Sequence, residues 1–526
     1  LTDVKSNQFL KIDYKNATVQ KGTDNQPEKK MLFTTVNDSI FNIHHKHTEN
    51  SYDDFKEEVL LPHRTSSFGP GISVGDLNGD GLDDFVVGGA SNYETGIYFQ
   101  TKDGFVRKNF KDIQDDRLQE DMGSLIFDAD GDGDNDIYMV SGGNEFDYDS
   151  EKLQDRLYVN DGKGNFTKSK DALPVMLTSG NRVKSFDYDK DGDLDLFVGG
   201  RLIPGNYPVP ADSHLLENVS TKGKPKFKDV TKDKAPRFKN LGLATDAVWT
   251  DIDKDGWTDL IVVGEWMPIT VFRNVEGSFE NITKKVNLDE SNGWWFSISQ
   301  GDFDKDGDMD YIVGNNGLNY KYQASKEETF DIYLNDFDKN KHQDIVLSYY
   351  DEGKKYPVRG RSCSSEQIPA IKKKFKNYDE FSTATLEDVY TKKDLEKSLH
   401  YEIRSFASVY LENKDGEFIM HKLPNLAQVS SINQILIDDF DKDSNLDIVV
   451  AGNLYGSEVE TPRNDAGIGL FLKGNGKGAL KPVRAFNSGL FIEGDTKDLA
   501  KINIAGKKYI IAAKNDDYLQ FIRVNK

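Results

Sequence analysis

The chain has 526 residues, too many for one ordinary compact core, so it is several domains or one architecture that grows by repetition. It is polar (37% hydrophobic, 30% charged, mean hydropathy -0.63), yet 31 Phe, 23 Tyr and 5 Trp exclude a disordered chain. The formal charge of -22 disfavours nucleic-acid binding, the single Cys363 excludes a disulfide scaffold, and no apolar run is long enough for a membrane helix.

In chain order, Leu1 is not an initiator Met and no basic-then-apolar leader follows it. The expectation is a processed chain or a fragment whose export signal or anchor lies outside it. The first predicted strand is Asp38-Ser39-Ile40-Phe41-Asn42-Ile43. His44, His45 and His47 come next. Alternation puts His45 and His47 on one face, read as a solvated outer strand in preference to a transition-metal site.

A nine-residue pattern then recurs, with Asp at positions 1, 3, 5 and 9 and usually Gly at 6. It reads DLNGDGLDD from Asp76, DADGDGDND from Asp128, DYDKDGDLD from Asp187, DIDKDGWTD from Asp251 and DFDKDGDMD from Asp302. It continues as DFDKNKHQD from Asp336 and DFDKDSNLD from Asp439. Ahead of each lies a short alternating stretch such as Gly71-Ile72-Ser73-Val74-Gly75. Behind each comes an apolar run ending in small residues, as in Phe85-Val86-Val87-Gly88-Gly89. A third run follows, such as Val271-Phe272-Arg273-Asn274, and then a turn into a fourth, such as Gly277-Ser278-Phe279. Short runs of Val, Ile, Phe and Tyr punctuated by Gly and Asn read as strands. Four strands in each repeat of about 50 residues predict an all-β propeller.

The C-terminal stretches from Leu499 to Asn503, Tyr509 to Ala513 and Tyr518 to Val524 give three strands without a fourth. The strand near Ile40 supplies it, closing the ring and leaving no open edge. The expectation is eight four-stranded blades over residues 31–526, with seven as the alternative. Residues 351–405 break the rhythm. Ile368, Ile371 and Phe375, then Leu386, Val389 and Tyr390, then Leu395 and Leu399 have helical spacing, which predicts a small helical insertion whose first helix begins near Pro369.

Carboxylates at positions 1, 3, 5 and 9 with a backbone carbonyl at 7 make an oxygen cage suited to Ca²⁺, and Gly at 6 permits the sharp turn. The candidate ligands are Asp76, Asn78, Asp80, Leu82 and Asp84; Asp128, Asp130, Asp132, Asp134 and Asp136; and Asp187, Asp189, Asp191, Asp193 and Asp195. Next come Asp251, Asp253, Asp255, Trp257 and Asp259, then Asp302, Asp304, Asp306, Asp308 and Asp310. The last two sets are Asp336, Asp338, Asn340, His342 and Asp344, and Asp439, Asp441, Asp443, Asn445 and Asp447. An EF-hand needs Glu at position 12 between helices, whereas here that position is Val87, Met139, Val198, Val262, Val313, Leu347 or Val450. Five to seven structural ions are expected. The Asp336 loop is the weakest, since Asn340 and Lys341 replace its fifth-position Asp and sixth-position Gly.

The units GISVGDLNGDGLDDFVVGG and VKSFDYDKDGDLDLFVGG closely resemble FG-GAP/VCBS repeats, the calcium-binding propeller repeats also found in integrin alpha chains. LLPHRTSSFGPGISVGDLNGDGLDD, YPVRGRSCSSEQIP and GNLYGSEVETPRNDAGIG look like large Bacteroidota surface proteins of the ASPIC/UnbV, cartilage acidic protein-like family. That resemblance implies export, a location at the cell surface or outer membrane, and no established enzymatic activity. It also implies that residues 1–30 are a linker or the tail of a preceding ASPIC/UnbV-like segment.

No G-x-S-x-G, HExxH, phosphate-binding loop or dinucleotide fingerprint is present. Arginines around Cys363 (Arg359 and Arg361) would lower a thiol pKa, but no positioned base is visible in sequence. Trp294 and Trp295 read as core packing. The expected function is a non-enzymatic, calcium-stabilised scaffold that binds protein partners of the cell envelope, such as outer-membrane transporter or assembly complexes. The basic run Lys372, Lys373, Lys374 and Lys376 lies in the expected partner-binding insertion. The alternative is a carbohydrate-binding or polysaccharide-lyase propeller, with glycan as ligand.

Overall fold

Eight antiparallel sheets dominate this computed structural model, which describes residues 30–525 and Lys15. Each has four strands, and one carries an added short strand, Gly293–Trp294. Seven of the sheets form a ring. Their inner strands are Ile72–Gly75, Asp121–Phe127, Ser179–Phe186, Leu243–Thr250, Ser297–Gly301, Gln434–Asp438 and Thr496–Ile504. Each neighbours the next, and the last returns to the first. Behind their leading Asp the second strands are mainly apolar, and Asp84–Val87, Asp136–Ser141 and Asp447–Ala451 are buried at every position. A strand packed between neighbouring blades on both faces reads as a continuous rather than alternating hydrophobic run.

The expectation of eight blades is corrected to seven, its stated alternative, because the Asp336 unit is nested instead of in line. In blade five the second strand, Asp310–Gly314, pairs with Val409–Lys414, and everything between them is inserted. The inserted sheet has the order Lys354–Pro357, Asp344–Asp351, Phe330–Asn335, Leu399–Ile403. Leu399–Ile403 covers the edge of Phe330–Asn335 that a blade would turn toward the ring axis, so this sheet cannot take a place in the ring.

The inserted sheet is covered on both faces. One face packs Phe330, Ile332, Ile345, Leu347 and Ile403 on Tyr207, Leu243, Trp266 and Trp294 of the ring and on Leu60 and Leu61 of a crossing segment, residues 42–71, that links the closing strand to blade one. The other packs Tyr333 and Val346 under Ile368, Ile371, Phe381, Leu386, Val389 and Tyr390. Those residues come from five short helices between Arg361 and Leu395. The first, Arg361–Gln367, precedes the start expected near Pro369, which falls to the second, Ala370–Lys374. Leu399, expected in a helix, begins a strand, and a reciprocal Thr385–Asp388 capping box starts the helix Leu386–Tyr390. The helices predicted over 351–405 are therefore the outer layer of a larger insertion, and they cover the inserted sheet.

A strand from the N-terminal region does close the ring, but upstream of the expected one. Phe33–Val36 pairs with Gln520–Val524, with Phe33 opposite Val524 and Val36 opposite Phe521. Phe33 fills the space between the last two blades, its ring 5.6 Å from Phe440 and 5.3 Å from Phe471. Asp38–Phe41 is instead a 3-10 turn: Asn37 Oδ1 accepts the Ser39 N–H at 2.9 Å, and Asn42 sits at φ 56°. Ile40 is left exposed. The expected tail at 1–30 lies outside the described residues but for Lys15 and Lys30. Among the described residues, no helix is long and apolar enough to cross a membrane.

Candidate functional site

Each acidic nonapeptide is the hairpin between first and second strands, so six of them line one face of the ring, in blades one to six. The seventh, at Asp336, is carried by the inserted sheet. A recurrent hydrogen-bond pattern shapes them all. The fifth-position side chain accepts the seventh-position N–H in every loop, from Asp80 with Leu82 at 2.9 Å to Asp443 with Asn445 at 3.0 Å. The first-position Asp accepts N–H groups inside the turn, as when Asp76 takes those of Gly79 and Gly81, both at 2.8 Å.

The ninth-position Asp is buried and anchors the loop. One oxygen of Asp84 accepts the Leu77 N–H at 2.9 Å and the other the Gln100 N–H of the third strand at 2.7 Å. The same bridge joins Asp195 to Tyr188 and Asn218, and Asp259 to Ile252 and Asn274. Burial pushes Asp84, Asp136 and Asp344 up to about 7 and Asp195 up to about 8.

The residues fit a hard cation. Carboxylate oxygens of Asp128, Asp130 and Asp136, of Asp187, Asp189 and Asp195, and of Asp336, Asp338 and Asp344 lie within 4.8 Å of one another. In two other loops the grouped acids are Asp251, Asp253 and Asp255, and Asp302, Asp304 and Asp306. Asp251 Oδ1 is buried with no hydrogen-bond donor, and the Asp132 carboxylate facing Asp134 helps push it up to about 6. All-oxygen, carboxylate-rich cages of this kind suit Ca²⁺. The Asp336 loop keeps the common shape, with Lys341 taking the left-handed conformation (φ 74°) that Gly takes elsewhere.

In two loops a cation reaches the acids from the loop's own third strand, while Lys254 of the preceding blade pairs with Asp308 of the Asp302 loop. Arg273 reaches Asp253 at 2.7 Å and Asp255 at 2.9 Å, while Lys473 contacts Asp441 and, at 2.6 Å, Asp443. Matching third-strand positions in the other blades with loops hold Phe99, Val159, Glu217 and Glu412, so this feature distinguishes the Asp251 and Asp439 loops.

Sequence reasoning missed the third-strand Asn. Asn274 Nδ2 donates to Thr258 O of its own loop (3.0 Å) and to Tyr188 O of the preceding blade's loop (2.8 Å), while its Oδ1 accepts the Gly277 N–H (2.8 Å). Asn160 and Asn218 repeat the inter-blade bond, to Leu77 O and Ala129 O. The signal was present, since third runs end in Asn, but nothing local to a strand reveals a partner in the next blade.

Buried charge marks the opposite face. Arg201 and His63 contact Glu265 Oε1 at 2.6 and 3.1 Å, and Tyr207 Oη donates to Glu265 Oε2 at 2.9 Å. Burial alone would raise Glu265, but Arg201 and His63 hold its carboxyl below the usual range. Arg201 and Glu265 follow Gly200 and Gly264, where an ionic side chain after the small residues was the overlooked signal.

The remaining candidates resolve plainly. His45 and His47 do share a face, but they are buried, not solvated. Burial lowers them to about 4 and about 3, and Nδ1 of His45 lies 2.9 Å from Tyr98 Oη. Cys363 Sγ donates to Glu460 at 3.2 Å, and burial with that carboxylate pushes the thiol up to about 11, so the arginines do not activate it. Arg359 pairs with Glu458, and Arg361 donates to Phe375 O at 2.6 Å. Trp294 and Trp295 are core residues.

The fold and its hairpins define a seven-bladed β-propeller with acidic turn loops. The chain carries FG-GAP repeats: residues 128–198 and 251–313 match the FG-GAP-like repeat, and residues 68–105 match the FG-GAP repeat. A search of curated proteins returned no match. Similar solved structures include the V. cholerae biofilm matrix protein Bap1, at 12% identity and TM-score 0.35, covering 91% of this chain and 90% of that one. YCF48 from Cyanidioschyzon merolae has 10% identity and TM-score 0.39, covering 88% and 98%. Bacillus licheniformis rhamnogalacturonan lyase PL11 has 11% identity and TM-score 0.36, covering 88% and 74%. Likeness at these scores carries no argument about function.

Proposed function

We propose that this chain is a non-enzymatic, calcium-stabilised propeller that acts at the cell surface or outer membrane as a binding and scaffold module. In this reading it resembles the Bacteroidota ASPIC/UnbV surface proteins in kind, and its partners are proteins of the cell envelope. The observation that carries the proposal is the layer built onto blade five. A propeller needs only a short connection there, yet the chain spends a whole sheet and five helices, and leaves Lys372, Lys373, Lys374 and Lys376 exposed on its outside. A basic patch on a chain of charge -22 favours an acidic docking surface and fixes orientation. Calcium in the hairpins supplies the rigidity of the scaffold.

Deleting the helices would uncover Tyr333 and Val346, so charge reversal is the cleaner test. The variant Lys372→Glu, Lys373→Glu, Lys374→Glu and Lys376→Glu should keep its melting temperature and lose the envelope proteins that copurify with the parent chain. Retention of the same partners would refute docking through this patch.

A second reading, carbohydrate binding or lyase chemistry, draws on a 580 Å³ cavity on the inserted sheet lined by Tyr333, Tyr350, Lys354, Lys355, Lys392 and His400. There Asp331 Oδ1 engages both Lys355 (3.0 Å) and His400 (2.7 Å), committing the basic groups to an internal cluster. Release of unsaturated sugars from a uronate polymer, abolished by Lys355→Ala, would favour this reading instead.

A further inference from the structure

On the face opposite the acidic hairpins lie three glutamates, Glu49, Glu120 and Glu145, none of which forms an ion pair with a Lys or Arg among the described residues. Glu120 is 0% exposed. Its Oε2 accepts the Ser91 N–H at 2.5 Å, and its Oε1 has no donor. Two glycines hollow out the space beside it. A Cβ on Gly69 would stand 3.6 Å from Glu120 Oε1, and a Cβ on Gly143 would collide with Glu145 Oε2 at 2.2 Å while lying 3.2 Å from Glu120 Cβ. Glu120 and Glu145 therefore share one niche. Glu49 stands on its Gly69 side, since Asn515 Nδ2 donates both to Glu49 Oε1 (2.5 Å) and to Gly69 O (2.9 Å).

The nearby cations are committed elsewhere: Lys497 lies 3.0 Å from Asp495, and Arg156 lies 2.7 Å from Asp121. Burial, and then the charges of Glu49 and Glu145, push Glu120 well above the ordinary range. Three carboxylates around one niche, one of them fully buried with an idle oxygen, cannot all ionise unaided. Either a proton is retained or a cation enters. Entry is open, because Glu49 and Asn515 also line a 670 Å³ cavity between the ring and the insertion.

We propose that Glu49, Glu120 and Glu145 form a further divalent-cation site, of oxygen ligands suited to Ca²⁺, separate from the hairpin loops. The site joins the crossing segment at Glu49 to blades one and two through Ser91, Glu120 and Glu145, and to blade seven through Asn515. It lies beside the rim of the cavity beneath the insertion.

The test counts ions and reads a sign. Parent chain, Glu120→Gln and Glu49→Gln are stripped of metal and titrated with Ca²⁺ alone, with bound ions counted by equilibrium dialysis and melting followed with and without Ca²⁺. Glu120→Gln should bind one ion fewer per chain. It should melt below the parent in Ca²⁺ but above it in chelator, because the amide spares the fold the cost of burying the carboxylate or taking up a proton, a cost that only the ion offsets. Glu49→Gln, at the half-buried rim, should weaken the same site roughly tenfold or more. An unchanged ion count with Glu120→Gln melting higher in both media would show a retained proton and overturn the site. So would unchanged count and affinity in Glu49→Gln, should Glu120→Gln fail to fold. Asp195→Asn, measured in parallel, reports on the hairpin ions alone, so failure of one reading is distinguishable from failure of the other.

Discussion

Asp195→Asn separates the two roles assigned to the ninth position of the repeat. In the parent chain its carboxylate accepts two backbone N–H groups, from Asn218 at 2.8 Å and Tyr188 at 3.3 Å, and shares a cluster with Asp187 and Asp189. An amide of the same shape keeps one acceptor and turns an NH₂ toward the other N–H, at a cost of about 1–3 kcal/mol. Without calcium, a carboxyl pushed up to about 8 is largely protonated at neutral pH, and the amide spares the fold the cost of taking up that proton, so the net change should be small. With calcium, the variant also forfeits a site that contributes about 2.7 kcal/mol when the ion stands at a hundredfold excess over its dissociation constant. The penalty in calcium should therefore exceed that in chelator by about 2–3 kcal/mol, or about 2–3 °C in a cooperative unit of this size. Differential scanning calorimetry of both proteins in both media measures it, with Glu151→Gln as a surface control. Equal penalties in the two media would refute the ligand role and leave Asp195 as a hydrogen-bond anchor only.

Three further outcomes are expected. The raised carboxyls of Asp84, Asp136, Asp195 and Asp344 favour the protonated fold, so calcium-free protein should lose stability as pH rises from about 4 to about 8, while calcium's stabilising increment grows over the same window; melting scans across pH check both signs. Arg273→Ala and Lys473→Ala should each tighten calcium binding at one loop by several-fold, read as a change in one step of a calcium titration, because a tethered cation no longer competes for Asp253 and Asp255 or for Asp441 and Asp443. Asn274→Ala should cost about 2–4 kcal/mol in chemical denaturation, since it strands the Tyr188 and Thr258 carbonyls and the Gly277 N–H together.

Much of the fold was legible because a hairpin is local. The Asp-rich nonapeptide, the small residues behind it and the apolar second strand sit side by side in the chain, and the hydrogen bonds that shape the turn close within nine residues. Blade count depended instead on Asp310–Gly314 choosing Val409–Lys414 over its nearer neighbour Phe330–Asn335, a pairing across the whole insertion. The short step from Asp302 to Asp336 and the long one to Asp439 were the trace of that nesting. The closing strand was misplaced by a few residues because Phe33–Val36 and Asp38–Ile43 are both short and partly apolar. Asn37 and Asn42, which turn the chain between them, decide the matter. His45 and His47 show the limit of reading a polar cluster as solvated, since their burial comes from Tyr98 and the chain near Asp516.

The two faces of the ring follow different physical logic. On the hairpin face, one hydrogen-bond scheme repeats from blade to blade and third-strand Asn residues link neighbours, so a single defect at Asn274 or Asp195 perturbs only its own blade and the one before it. On the opposite face the charged contacts around Glu265 occur once. Arg201 from blade three, Glu265 from blade four, Tyr207 from the loop after Arg201 and His63 from the crossing segment meet once, beneath a sheet inserted in blade five. Glu265 has no spare oxygen there: Oε1 takes Arg201 and His63, and Oε2 takes Tyr207. Truncating Arg201 or Glu265 leaves the other's charge buried without its partner, which costs several times more than losing an exposed pair. The hairpin face can therefore vary loop by loop, as Ser444 in place of glycine shows, whereas the opposite face fixes the insertion's seat on the ring and with it the direction in which the lysine patch points.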